Sequence, residues 1–97
     1  MQLRNHQPLI IDTREPEEYE ISHVNGALNV PSTEFENLPP FFTDVDRSTS
    51  IVLYCRTGRR ASRCQEVLEE NGFSNVINGI NEQNVDEYLE GKHATSI

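Results

Sequence analysis

Residues 51–70, IVLYCRTGRRASRCQEVLEE, decide how this chain is read. They open on Ile51-Val52-Leu53-Tyr54, an apolar run rich in β-branched and aromatic side chains, which predicts a buried strand. The run ends on Cys55. Arg56-Thr57-Gly58-Arg59-Arg60 follow, and from Ala61 the pattern turns helical. Ala61, Cys64, Val67 and Leu68 fall on one apolar stripe, while Glu66, Glu69 and Glu70 face away from it. Asn71-Gly72 is a stop signal, with Gly72 able to take the left-handed cap conformation. A cysteine therefore stands at the exit of a strand, and a short loop leads from it into the first turn of a helix.

That placement has chemical consequences. The first turn of a helix carries unpaired N–H groups and the positive end of the aligned peptide dipoles. A thiolate held against them is stabilised, and its pKa falls below that of free cysteine. Gly58 lets the backbone curl around the sulfur without a Cβ in the way. Arg56, Arg59, Arg60 and Arg63 supply four of the chain's 8 basic Lys and Arg residues within this one segment. Such a run is ordinarily a solvated basic face. Its position beside a strand-end cysteine points instead to a small anion as substrate, attacked by a nucleophilic sulfur.

Outward from this unit the pattern alternates. Leu9-Ile10-Ile11 predicts a buried strand with Asp12-Thr13-Arg14 at its exit. Pro16 suits the first position of a helix, with Glu15, Glu17 and Glu18 in the first turn and Tyr19 turned inward. Residues 22–26 form a loop, and Ala27-Leu28-Asn29-Val30 a second strand closed by Pro31. Thr33 and Glu36 match a capping box, predicting a short helix that buries Phe35 and Leu38 and stops at Pro39-Pro40. Phe41 and Phe42 are expected to pack under the polar connection Thr43–Ser50. Beyond the central unit, 75–78 reads as a strand, 79–84 as a loop, and Val85, Tyr88 and Leu89 as one face of a last helix. Residues 91–97 read as a flexible tail. Alternating strands and helices predict an α/β fold, with a small parallel sheet flanked by helices on both faces. In such sheets, sites gather beyond the carboxyl ends of the strands, where Asp12-Thr13-Arg14 and Cys55 would meet.

Composition narrows the function. The 97 residues suit a single domain with a modest core. A net charge of -8 argues against a general nucleic-acid binder. No apolar run is long enough to span a membrane. Two cysteines make no disulfide framework, and His6, His23, His93 and the cysteines lack metal-ligand spacing, so neither a metal nor another cofactor is expected. Met1-Gln2-Leu3-Arg4-Asn5-His6 runs straight into the first strand pattern without a leader-like stretch. A cytoplasmic monomer is the expectation; a periplasmic location would require a leader removed from the natural precursor.

Two motifs now coincide. Residues 11–19, IDTREPEEY, followed by 23–31, HVNGALNVP, resemble the opening signature of rhodanese domains. Residues 52–62, VLYCRTGRRAS, resemble their active loop, and the order and spacing match over nearly the whole chain. Small single-domain sulfurtransferases of the phage-shock-protein-E kind are the nearest type. The resemblance implies a rhodanese-like fold and thiosulfate sulfurtransferase activity. Cys55 would carry sulfur as a persulfide, and Arg56, Thr57, Gly58, Arg59, Arg60 and Ala61 would bind the substrate. It also implies a small anionic sulfur donor and a nucleophilic acceptor, either cyanide, a small thiol or a protein. The sequence departs from the pattern at Ser22, where the family often has Gly, and at Asn25, where it often has Pro or Glu. Near the C-terminus Gly79 is followed by Ile80 instead of a second glycine, and Trp is absent from the chain.

Two rival functions are weaker. Phosphatases and arsenate reductases of similar fold call for Cys-x5-Arg, but the sixth residue after Cys55 is Ala61, and Arg60 comes one position early. A non-catalytic or partner-dependent sulfur-relay module is the second; turnover with free small molecules separates it from an enzyme. Other residues have ordinary structural readings. Cys64 lies on the core stripe, with a resolving thiol for Cys55 as the alternative; Asp12 and Arg14 are expected to fix neighbouring loops by hydrogen bonds and an ion pair, with contact to substrate as the alternative; and His23 is expected to be structural, with an acid or base role as the alternative.

Overall fold

The computed structural model describes residues 8–94, with side chains described through Glu90. Among the described residues, four strands form one sheet: β1 (Leu9–Asp12), β2 (Leu28–Asn29), β3 (Ile51–Cys55) and β4 (Val76–Asn81). Their spatial order is β2-β1-β3-β4, and every pairing is parallel. Three helices accompany them: α1 (Pro16–Ile21), α2 (Arg59–Glu70) and α3 (Glu82–Ala94).

All five residues of β3 are buried, because this strand has a neighbour on each side and a packed layer on each face. Alternation along the strands divides the core in two. Ile11, Ile51, Leu53 and Cys55 point to the face covered by α2, where they meet Ala61, Cys64, Leu68, Phe35, Phe42 and Phe73. Ile10, Val52 and Tyr54 point to the opposite face and pack with Val24, Ala27 and Val85, flanked by Tyr19 of α1 and Leu89 of α3. The sheet is thus covered on both faces, as the alternating pattern predicts.

Helix ends follow local chemistry. Pro16 opens α1, and the Glu15 amide donates to the Glu18 carboxylate at 2.8 Å. Gly72 ends α2 with φ at +96°, and the Phe73 amide donates back to the Leu68 carbonyl at 3.1 Å. Asn81 caps α3 by accepting the Asn84 amide at 2.7 Å.

Several expectations need correction. No α-helix forms between Thr33 and Pro40. Ser32–Glu34 and Pro40–Phe42 are single 3-10 turns, and Thr33 makes no side-chain cap. Pro31 and Pro39 bracket too short a run for an α-helix to nucleate, and Pro39 disfavours helical backbone at Leu38. Phe35 is buried nonetheless, as is Phe42, whereas Phe41 remains largely exposed. Strand β2 is shorter than its apolar pattern. Strand β4 runs through Gly79 to Asn81 instead of ending in a loop, and α3 begins at Glu82. Finally, α3 continues to Ala94, so 91–94 are helical; Gly91 is tolerated there at a cost of about 1 kcal/mol. Residues 1–7 and 95–97 lie outside the described residues, and so do the sequence readings that fall on them.

Strand β4 continues past Gly79 by a bulge. Leu53 pairs with Asn78, but Tyr54 pairs with Ile80, so Gly79 is the extra residue. A Cβ on Gly79 would stand 2.5 Å from Val85 Cγ2 and 3.0 Å from Val52 Cγ1. Glycine is required there for α3 to close onto the sheet.

Ile80 follows with φ at +77°, the one non-glycine residue in left-handed backbone among those described. For a β-branched residue this costs roughly 1–2 kcal/mol. The residue stays 42% exposed, so burial offsets only part of that cost. Ile80→Gly should therefore stabilise the fold by up to about 1 kcal/mol, after the entropic cost of glycine. Ile77→Gly, as exposed but in ordinary strand backbone, should destabilise it by about 1 kcal/mol. Urea melts of the two variants check the contrast; equal destabilisation would mean that Ile80 carries no strain.

Candidate active site

Cys55 is the last residue of the central strand, and its side chain lies under the start of α2, only 2% exposed. Arg56 and Thr57 carry the chain outward, and Gly58 turns it back with φ at +90° to serve as the N-cap of α2. An L side chain at Gly58 would be strained by that backbone even though the space beside it is open enough for a Cβ. The turn aims main-chain N–H groups at the sulfur, and the Gly58 amide donates to Cys55 Sγ at 3.1 Å.

Two opposing effects act on the thiol. Burial pushes its pKa up. The amides of Ala61, Thr57, Gly58 and Arg60 together outweigh burial and hold it below the ordinary thiol range. All four belong to the loop and the first turn of α2, where amides have no helical partner. Cys64, one face-turn further along α2, has no such cradle. Burial, with the neighbouring Cys55 charge adding to it, pushes its thiol up to about 12. Cys64 is fully buried among core side chains and suits packing, not chemistry. Cys64→Ala should cost on the order of 1 kcal/mol or somewhat more in a thermal melt and leave the alkylation rate of Cys55 within about twofold. A collapse of Cys55 reactivity in the folded variant would contradict this division of roles.

The strands around the loop are braced by a buried polar network at the exit of β1. Arg14 Nε and Nη2 donate to both Asp12 oxygens, with Nη2 at 2.7 Å from Oδ2. The Tyr54 hydroxyl donates to the same Oδ2 at 3.0 Å and accepts the Val24 amide at 3.0 Å. Thr13 Oγ1 donates to the Tyr54 carbonyl at 3.0 Å. Asp12 and Arg14 thus fix the neighbouring loops, as the sequence suggests. On the other side, Asn78 Nδ2 donates to the Gly58 carbonyl at 2.9 Å while its Oδ1 accepts the Ile80 amide at 2.9 Å. One side chain therefore ties the cysteine loop to the β4 bulge.

The arginines divide. Arg60 Nη1 donates to Glu18 Oε1 at 3.1 Å, across from α1. Arg56 Nη1 lies 4.0 Å from Glu18 Oε2, with its side chain mostly in solvent. Arg59 is exposed at the start of α2. Arg63 lines a cleft of about 260 Å³ with Ser32, Thr33 and Glu36. The cationic cluster of the sequence is therefore divided, with Arg56 and Arg60 facing Glu18 and Arg63 lining the cleft beside Ser32. His23 stacks on Tyr19 with ring centroids 3.7 Å apart, and its Nδ1 lies 2.7 Å from the Tyr19 carbonyl oxygen, a structural arrangement.

A profile of the rhodanese-like domain matches residues 1–82. The chain belongs to the rhodanese-like family. This rhodanese domain is 38% identical over 69 residues to the thiosulfate sulfurtransferase PspE of Escherichia coli, covering 70% of this chain and 64% of PspE. It is 36% identical over 72 residues to a tRNA uridine(34) hydroxylase of Yersinia enterocolitica, covering 71% of this chain but 21% of that protein. The rhodanese domain thus spans less than two thirds of either relative. Among solved structures, a rhodanese from E. coli studied with anions superposes with a TM-score of 0.70 at 33% identity, covering 80% of this chain and 91% of that one. A human single-domain sulfurtransferase, TSTD1, shares the fold with a TM-score of 0.62 at 21% identity, covering 86% of this chain and 81% of that one.

Three residues beside the rhodanese loop escape a local reading of the sequence. Glu18 looks like an ordinary first-turn acid of α1, and Asn78 like a strand-end polar residue. Ile80 looks like loop. The signal for the last two was Gly79, since a lone glycine inside a strand pattern marks a bulge.

Proposed function

We propose that this domain is a sulfurtransferase that moves sulfane sulfur from thiosulfate or a related donor to cyanide or a thiol, through a persulfide on Cys55. The observation that carries the reading is a buried cysteine sulfur at the start of α2 that accepts the Gly58 amide at 3.1 Å, with the neighbouring amides of the loop and first helical turn holding its pKa down and no second side chain needed to activate it. In the first step the Cys55 thiolate attacks the outer sulfur of thiosulfate. The S–S bond of the donor breaks, sulfite leaves with the bonding pair, and Cys55 carries the persulfide anion. In the second step the acceptor attacks the terminal sulfur, and the thiolate is released. Two displacements replace one difficult transfer. The same amides that hold the thiolate can hold the terminal persulfide sulfur, as an oxyanion hole holds oxygen.

Phosphate chemistry fits less well. Its loop needs an arginine at the position of Ala61, and the arginine one place earlier is paired with Glu18. A short amide loop around one sulfur suits a single sulfane atom better than a tetrahedral oxyanion.

Turnover with free thiosulfate and cyanide tests the reading. Thiocyanate production that depends on Cys55 supports an enzyme. Absence of turnover with small donors and acceptors would favour a relay module that works only on a partner. Among the described residues, no helix is long and apolar enough to cross a membrane.

A further inference from the structure

Glu18 of α1 holds a carboxylate against Arg60 at the start of α2, and Glu15 adds a weaker negative charge on the same side. It reaches Arg60 Nη1 at 3.1 Å and lies 4.0 Å from Arg56 Nη1. Its position is fixed from its own side as well, because Oε1 accepts the Glu15 amide at 2.8 Å. The carboxylate and the Arg60 side chain are each about two thirds or more withdrawn from solvent, at 26% and 33% exposure. Arg60 supplies one of the amides aimed at the Cys55 sulfur, so its side chain starts from the rim of the cradle. Two of the arginines nearest the nucleophile thus share one negative partner, which belongs to a different helix.

We propose that Glu18 sets the charge selectivity of the Cys55 site by cancelling one arginine at its mouth, so that the site accepts weakly charged or neutral sulfur donors and acceptors nearly as well as dianions. Thiosulfate carries two negative charges, and an organic persulfide, a polysulfide or a neutral acceptor carries fewer. With Glu18 ionised, its carboxylate is held by Arg60 and faces Arg56, so the cationic charge these two arginines present is partly cancelled. Without it, the full cationic charge would favour the most highly charged anion. Charge interactions of this kind across partly solvated space are worth about threefold for a monoanion and about tenfold for a dianion. Glu18 is a positioning residue in this scheme, because it acts through Arg60 and touches no reacting atom. The scheme deepens the sulfur-transfer reading, yet its test does not depend on that reading.

The test compares alkylation of Cys55 by iodoacetate, an anion, and by iodoacetamide, its neutral analogue. Both react with the thiolate and expel iodide, so the ratio of their rates cancels any change in thiolate population. Peptide mass analysis separates Cys55 from the buried Cys64. Glu18→Gln keeps an acceptor for the Glu15 amide and removes the charge. The iodoacetate-to-iodoacetamide ratio should rise about threefold in Glu18→Gln and fall in Arg60→Gln, which frees the carboxylate. Glu17→Gln, the same charge change on an exposed neighbour, should leave it within about 1.5-fold. In parallel, the rate of sulfur loading from thiosulfate should rise about tenfold in Glu18→Gln. An unchanged ratio in Glu18→Gln and Arg60→Gln would overturn the inference, as would an equal rise in Glu17→Gln. A raised ratio with no loading from thiosulfate in any variant would uphold the role of Glu18 and count against sulfur transfer.

Discussion

Cys55→Ser is expected to abolish sulfur loading from thiosulfate, lowering the rate by about a thousandfold or more, while the domain remains folded. The serine hydroxyl fits the same cradle and can accept from the Gly58 amide, which now lies 3.1 Å from the sulfur. Its pKa is far above that of the thiol, so the amides that suffice to populate a thiolate leave an alcohol protonated. No side-chain base stands in the loop to remove the proton. The strand and helix are indifferent to the exchange, and the melting temperature should stay within a few degrees. Loading is read by mass spectrometry and folding by circular dichroism. Full activity in the serine variant would require a different nucleophile, with Cys64 the only other cysteine in the chain.

The second large effect is on stability. Asp12→Ala should destabilise the domain by about 3–5 kcal/mol, because it leaves the Arg14 guanidinium without its buried partner. The pair is bidentate, with Asp12 inaccessible to solvent and the Arg14 side chain 10% exposed. The same carboxylate also receives the Arg14 amide and the Tyr54 hydroxyl, so four buried donors lose this acceptor at once, and only Arg14 Nη2 keeps another, the Ser22 carbonyl. A small domain has only about 5–15 kcal/mol of stability in total. Denaturant melts should show a large drop in midpoint with little change in slope, and the thermal midpoint should fall by about 10 °C or more. A loss under about 1 kcal/mol would mean that water replaces the carboxylate and that the network does not brace the β1 exit.

What the sequence makes legible here is what local pattern controls. The run Ile51–Tyr54, the stripe Ala61-Cys64-Leu68 and the cap at Gly72 are each specified within a few residues, and each stands in the structure as its pattern predicts. The position of Cys55 between them follows, and with it the supply of amides. The Thr33 capping box fails because two prolines cut the segment too short for an α-helix, whatever its cap chemistry. The strand β4 reads as too short because a bulge at Gly79 shifts the alternation by one residue, and Ile80 then sits where alternation would not place it. Glu18 and Arg60 are 42 residues apart, and only the packing of α1 beside the start of α2 brings them together. A charge cluster read along the chain cannot show which of its members is already partnered across the fold.

The most direct test of the whole account is mass spectrometry of the intact and digested protein after thiosulfate treatment without reductant. One added sulfur atom is expected on the peptide that contains Cys55, lost on addition of cyanide, with Cys64 unmodified. Thiosulfate that leaves Cys55 unchanged, or sulfur that accumulates on Cys64 instead, would contradict it.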